Sequence, residues 1–326
     1  MGRLPRSAQI ALSDTASLRM RAAWLYFHGE LTQKEIAETL GVSRSTVVRM
    51  LDEARKRDEV QIWINAEPGD CTELAVKLEE ELGLDEVIVV PGDGDADQTA
   101  RNVGAALGQF LSDVVTDGMS IGVGWGRTVS ASLATFRPQR REGAHVVSLL
   151  GGLLETSGFN PTDVSWRVAS RLGADCSLYL APLIVDSHDT KQRLIEKCGL
   201  DRVEEAASRL DLAILSCGDI GVEGSSLSHK FLTSDEYQEL LQAGAICDTL
   251  CQFLDAGGQT VDHPVHDRVM AVDLDTIAKA GHVVLASGGE RRASAIRATV
   301  KRTACRTLIT DEAAARALLD DQSADK

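Results

Sequence analysis

Apolar residues recur with helical spacing from Leu18 to His28: Leu18, Met20, Ala22, Ala23, Leu25, Tyr26 and Phe27 alternate with a polar face of Arg19, Arg21 and His28. Gly29 follows as the expected C-cap. Thr32 with Glu35 three residues on forms a capping box and predicts a helix start, whose inward stripe is Ile36, Ala37 and Leu40. Gly41 ends that helix, and Ser43 caps another that runs to about Arg57 with Val47, Val48 and Leu51 facing inward. Val60 to Asn65 alternates apolar and polar residues and predicts a short, wing-like strand. Glu67 to Asp70, EPGD, closes this part, so residues 1–66 form a small helical domain.

The pattern changes from Cys71 onward. Helical stretches now alternate with short apolar runs: Val87–Val90, Ser120–Gly124, His145–Leu150, Ser177–Leu180, Leu212–Ser216, His282–Ala286 and Thr307–Thr310. Residues 67–326 therefore read as an α/β domain with a mainly parallel sheet.

Charge separates the two parts. The whole chain carries −15, but residues 1–60 hold ten Lys or Arg against eight Asp or Glu, about +2, which leaves 24 basic and 41 acidic residues, about −17, for the rest. Contact with DNA phosphates is confined to the first part. Two helices joined by a glycine turn make a helix-turn-helix, whose second helix presents its N-terminal residues to the major groove. Arg44, Ser45, Thr46 and Arg49 can reach base edges; Ser43, Gln33, Lys34, Arg55 and Lys56 suit phosphate contacts. No apolar run approaches the roughly 20 residues that cross a bilayer, and no leader-like segment opens the chain, so a cytoplasmic protein without a membrane partner is expected. The seven cysteines lack CxxC pairing and read as reduced, buried thiols.

Glycine-rich loops follow the predicted strands at Gly122–Thr128, Leu149–Gly158, Ser216–Gly224 and Ser287–Arg297. Loops beyond the carboxyl ends of parallel strands are where α/β sheets bind ligands. Gly124, Trp125, Gly126, Arg127 and Thr128 make one anion-friendly helix start, and Gly288, Gly289, Arg291 and Arg292 make another, which favours a phosphorylated ligand. A dinucleotide fingerprint needs a third glycine where Arg127 stands, and a triphosphate loop needs the absent Gly-Lys-Ser/Thr, so no cofactor is expected. His263 and His266 flank Pro264, which argues against a metal-binding helix and for a solvated loop. Trp24, Trp63 and Trp166 read as packing residues.

The stretches LTQKEIAETLGVSRSTVVRML, GVGWGRT, LAPLIVDS, ICDTLCQFLDAGG and SGGERRASAIRATVKRTACRTLITDEAAARALL together resemble the SorC family of sugar-binding, DeoR-like bacterial transcriptional regulators, over nearly the whole chain. The resemblance implies a helix-turn-helix joined to a domain similar to sugar-phosphate isomerases and deaminases. It also implies a homotetramer on double-stranded operator DNA, with a phosphorylated sugar or polyol as effector. It places Gly124 to Thr128, Gly151, Gly152, Asp248, Gly288 and Gly289 at the effector site, with Arg292 standing where members often carry lysine. A repressor of a sugar or polyol catabolic operon is the expectation. The competing reading is a sugar-phosphate isomerase or deaminase carrying a DNA-binding domain, with Asp219, Glu223 and His229 on a rim loop as candidate acid-base groups.

Overall fold

A computed structural model describes residues 14–29, 31–57, 59–60, 69–92, 95–154, 160–220 and 231–320. They fall into two compact units, divided between Asn65 and Ala66.

The first unit packs α1 (Asp14–Phe27), α2 (Gln33–Leu40) and α3 (Arg44–Lys56) around Ala22, Ala23, Ile36, Ala37, Val47, Met50, Leu51 and Ala54. Thr32 accepts from the Glu35 amide while Glu35 reaches back to the Thr32 amide, which fixes the start of α2. Gly41 ends α2 at φ 68°, a left-handed turn that an L side chain resists, and Ser43 caps α3 by accepting from the Thr46 amide. Two expectations fail on these helices. Val48 is 45% exposed, and Met50 takes the inward place instead. On α1 the polar and apolar faces are partly exchanged: Met20 and Trp24 are exposed, whereas Arg19 is buried. Its guanidinium forks onto Glu59, with Nε donating to Oε2 at 2.6 Å, so a distant carboxylate supplies what burial would otherwise deny the charge. The expected strand from Val60 to Asn65, and Trp63 with it, lies outside the described residues except for Val60.

The second unit opens with α4 (Gly69–Leu82) and is built on a seven-stranded parallel sheet. Its strands are β1 (Glu86–Val90), β2 (Ser120–Val123), β3 (His145–Ser148), β4 (Asp175–Ser177), β5 (Leu212–Leu215), β9 (His282–Ala286) and β10 (Thr307–Asp311), in the order β1-β10-β9-β5-β2-β3-β4. The fourth strand begins and ends earlier than the expected Ser177–Leu180. Apolar side chains cover both faces, as a parallel sheet requires. A second, antiparallel sheet joins β6 (Gly218–Asp219), β7 (Cys247–Thr249) and β8 (Gln252–Leu254). Sequence pattern gave no sign of it.

Strand order fixes where a ligand can sit. From β2 the chain moves outward through β3 to β4, then returns to β5 on the other flank of β2 and continues through β9 to β10. The connections after β2 and β5 therefore diverge and leave a crevice at their carboxyl ends.

Candidate functional site

In the helical unit, seven of the nine residues expected to meet DNA cluster in the first turns of α2 and α3. Lys34, Ser43, Arg44, Ser45 and Arg49 are exposed, and Gln33 and Thr46 are half-buried. Arg44 Nε donates to Gln33 Oε1 at 3.4 Å and ties the two helix starts together. Ser43 Oγ is engaged as the cap and lies 2.8 Å from Thr46 Oγ1, so these two hydroxyls shape the helix start more than they project from it. Arg55 lies over the Phe27 ring at 5.4 Å, and Lys56 pairs with Asp52 at 2.7 Å. On α3, Arg44 and Arg49 are left as the long donors of the exposed face.

In the α/β unit, a cavity occupies the crevice between β2 and β5. Trp125, Gly126, Arg127 and Thr128 form one wall; Ser216, Cys217 and Gly218 form the opposite one. Asp248, Leu250 and Cys251 of the small sheet, together with Leu150, Phe231 and Arg292, complete it. Thr249 Oγ1 donates to the Ser216 carbonyl at 3.0 Å and holds the small sheet against the β5 loop. Gly126 has φ 142°, a conformation closed to L side chains, and a Cβ there would stand 3.3 Å from Ser216 Cβ. It precedes α6 (Arg127–Ser132) without a side-chain cap, which leaves the first amides of that turn to a ligand. Because α6 has six residues, its anion preference rests on these amides and the Arg127 side chain, not on a long helix dipole.

Two guanidinia reach this cavity. Arg127 Nη1 is 2.8 Å from Asp97 Oδ1 and keeps part of its surface exposed. Arg292 is buried, donates from Nη1 to the Gly288 carbonyl at 3.0 Å, and stands with Nε 3.5 Å from Asp219 Oδ1. Burial pushes the Cys217 thiol up, and the charges of Arg292 and Asp248 both act on it.

Five glycines expected at the effector site do not line the cavity, for specific reasons. The Gly124 amide donates to the Ile214 carbonyl at 2.9 Å, and a Cβ would lie 2.8 Å from that same oxygen, so its role is the close approach of β2 to β5. Gly151 and Gly152 donate to the Met270 and Ala181 carbonyls, both at 2.8 Å. Gly289 donates to Asp311 Oδ1 at 2.7 Å, and a Cβ on Gly288 would lie 2.8 Å from that same oxygen, so a buried carboxylate already occupies the second expected anion site. These glycines shape the loops, and the Gly288-Gly289 turn lets Arg292 fold back. Of the residues expected at the effector site, Trp125, Gly126, Arg127, Thr128, Asp248 and Arg292 are brought together at the cavity.

Leu150, Ser216, Cys217 and Gly218 lie in the loops expected at the rim without being singled out there, whereas Phe231, Leu250 and Cys251 were missed. Leu250 and Cys251 form the β7–β8 turn with φ 49° and 59°, where glycine or asparagine is the usual signal. The rim carboxylate Asp219 faces Arg291 and Arg292, at 4.0 and 3.5 Å, and does not line the cavity; Glu223 and His229 lie outside the described residues. The Pro264 loop is not solvated as expected: His263 caps a 3-10 turn by accepting from the Val265 amide, and His266 Nε2 accepts from the Phe253 amide at 3.0 Å. Among the described residues no His, Cys, Asp and Glu cluster could hold a metal, and no helix is long and apolar enough to cross a membrane. All seven cysteines are free; Cys198 is exposed, and Trp24 and Trp166 are exposed as well, against the expectation of packing.

Residues 66–320 match the family described as "Putative sugar-binding domain", and residues 22–57 match "Sigma-70, region 4", a helix-turn-helix. The chain is 30% identical over 322 residues to the transcriptional regulator LsrR of Enterobacter sp. (strain 638), covering 96% of each. It is 28% identical to the erythritol catabolism regulatory protein EryD of Brucella abortus (strain 2308), covering 93% of this chain and 96% of the relative. Its fold superposes on the full-length sorbitol operon regulator SorC of Klebsiella pneumoniae with a TM-score of 0.71, at 23% identity, over 94% of this chain and 100% of that one. These relatives are transcriptional regulators and not enzymes. With a sugar-binding domain over most of its length and a helix-turn-helix before it, the chain belongs to the SorC-type family of sugar-binding transcriptional regulators.

Proposed function

We propose that this regulator represses a sugar or polyol catabolic operon and is released by a phosphorylated sugar or polyol bound in the cavity between β2 and β5. The observation that carries the reading is the convergence of the Arg127 and Arg292 guanidinia with the uncapped amides after Gly126, in a unit of otherwise strong negative charge. Guanidinia and loop amides hold a phosphate dianion; Asp248 and the Thr128 and Ser216 side chains offer partners to sugar hydroxyls. Trp125 and Phe231 give the carbon skeleton an apolar wall. Arg44, Ser45, Thr46 and Arg49 read the operator, and Gln33, Lys34 and Ser43 position the unit on the backbone. Residues 1–66 serve DNA binding, residues 67–326 serve effector binding and assembly into a homotetramer, and the protein works in the cytoplasm. The related proteins act, by their names, in erythritol catabolism and on a sorbitol operon, which supports a polyol or sugar as the effector class.

The test is electrophoretic mobility of the full chain on DNA from upstream of its own gene, with a panel of sugar and polyol phosphates. One ester releases the DNA if the reading holds; retention under every ester contradicts it. Sedimentation of the same sample reads the assembly.

A further inference from the structure

The β7–β8 hairpin stands between two cavities. Its turn residues Leu250 and Cys251 line the one already described, and the next residue, Gln252, lines a second of about 420 Å3. That volume falls within the range of small-molecule sites. Lys191 of the helix His188–Lys197, Glu204 of the helix Asp201–Ala207, Thr260, His266, Asp273 and Arg302 supply the rest of its polar wall.

The hydrogen-bonding directions on this wall are fixed. His266 Nε2 accepts the Phe253 amide, and burial lowers the ring to about 4, so near neutral pH it is uncharged and carries its proton on Nδ1 as a donor. Gln252 is oriented by donating to the Val272 carbonyl at 3.0 Å. Tyr179, fully buried, donates to Glu204 Oε1 at 2.7 Å and leaves Oε2 as an acceptor. Lys191 Nζ donates to the His266 carbonyl at 3.1 Å, yet makes no ion pair within 4.0 Å with Glu204 or Asp273, whose charges act on it. Burial lowers the Lys191 ammonium and raises the Glu204 carboxyl, so both groups lack part of the solvation that partners would restore. Arg302 is held by Asp275 at 2.7 Å, which leaves Lys191 to face Glu204 and Asp273, so the wall has no preference for an anion.

We propose that this cavity is a second ligand site, for an uncharged polyhydroxylated compound, a free sugar or polyol. A hydroxyl both donates and accepts, and so bridges an ammonium or imidazole N–H to a carboxylate that cannot touch it directly. The cavity between β2 and β5 instead carries two guanidinia against one carboxylate, so the two sites discriminate an ester from its parent compound. Because consecutive residues of one hairpin serve both, occupancy of one bears on the other; that coupling rests on the function proposed above, whereas binding at the second site does not.

Isothermal titration calorimetry on the full chain tests it, with erythritol, sorbitol and ribose as separate probes. At least one binds, and Lys191→Met and Glu204→Gln each weaken it by at least about tenfold while melting as cooperatively as the parent chain. The unaltered chain keeps the test decisive if a variant misfolds: flat isotherms for all three probes up to about 20 mM overturn the proposal. Binding that falls with Arg127→Ala but survives both cavity variants also overturns it, because the polyol then sits in the first cavity. Failure of every phosphate ester to release DNA would leave a positive result here intact, which separates the two claims.

Discussion

In the helical unit, Arg44, Ser45 and Arg49 stand exposed on one short helix, whereas the proposed effector cavity draws Trp125 to Thr128, Ser216 to Gly218, Asp248 and Arg292 from separate segments of the fold. The first surface needs only a capped helix to exist. The second exists only once β5 has returned to the flank of β2. Local spacing therefore builds the surface proposed to read DNA, and topology builds the cavity proposed to sense the effector, so mutations should separate the two.

The largest expected effect separates them from the effector side. Gly126→Val forces a side chain into φ 142° and towards Ser216, with strain of about 1–3 kcal/mol. Effector-dependent release of DNA is lost while affinity for DNA without effector stays at the parent level, as fluorescence anisotropy would show. Arg49→Ala is the mirror image: loss of a base contact costs about 1–3 kcal/mol of operator affinity and leaves the effector-induced thermal shift unchanged. Loss of effector binding in that variant would break the comparison.

Acid should also distinguish the units. His266 is lowered to about 4, by burial first and then by His263 and Lys191, against Asp267 and Asp262. The unfolded state binds the proton more readily, so stability is full above the ordinary histidine pKa and falls as pH drops from about 6.5 to 4, by up to about 3 kcal/mol. Denaturation of His266→Gln across that range should lack this slope. Glu59 behaves differently: its hydrogen bond from Arg19 holds the carboxyl below its usual range, so its contribution is present above that range and is lost only as pH falls through the lowered value. Circular dichroism of Glu59→Gln should show a small loss of stability at neutral pH that disappears in stronger acid.

The sequence made the helix pair legible because a capping box, a left-handed glycine and a serine cap act over three or four residues. Arg19 was misread for the opposite reason: Glu59, which admits it to the interior, lies forty positions away. In the second unit most strands were legible from apolar runs, and Trp125 to Thr128, Asp248 and Arg292 pointed to the cavity. The small sheet was not, because its Leu250-Cys251 turn carries none of the residues that announce positive φ. Glycines at 124, 151, 152, 288 and 289 looked like anion cradles, but their partners are backbone carbonyls and the Asp311 carboxylate, which only the folded chain brings near. Composition could not reveal that their amides or the space beside them were already taken.

The most direct test of the proposed effector site compares thermal shifts of the parent chain and Arg127→Ala with whichever phosphate ester releases DNA. The ester raises the melting temperature of the parent chain, and the shift shrinks sharply in the variant, because a guanidinium partner of the phosphate is gone. An undiminished shift in Arg127→Ala would contradict a phosphate held between β2 and β5.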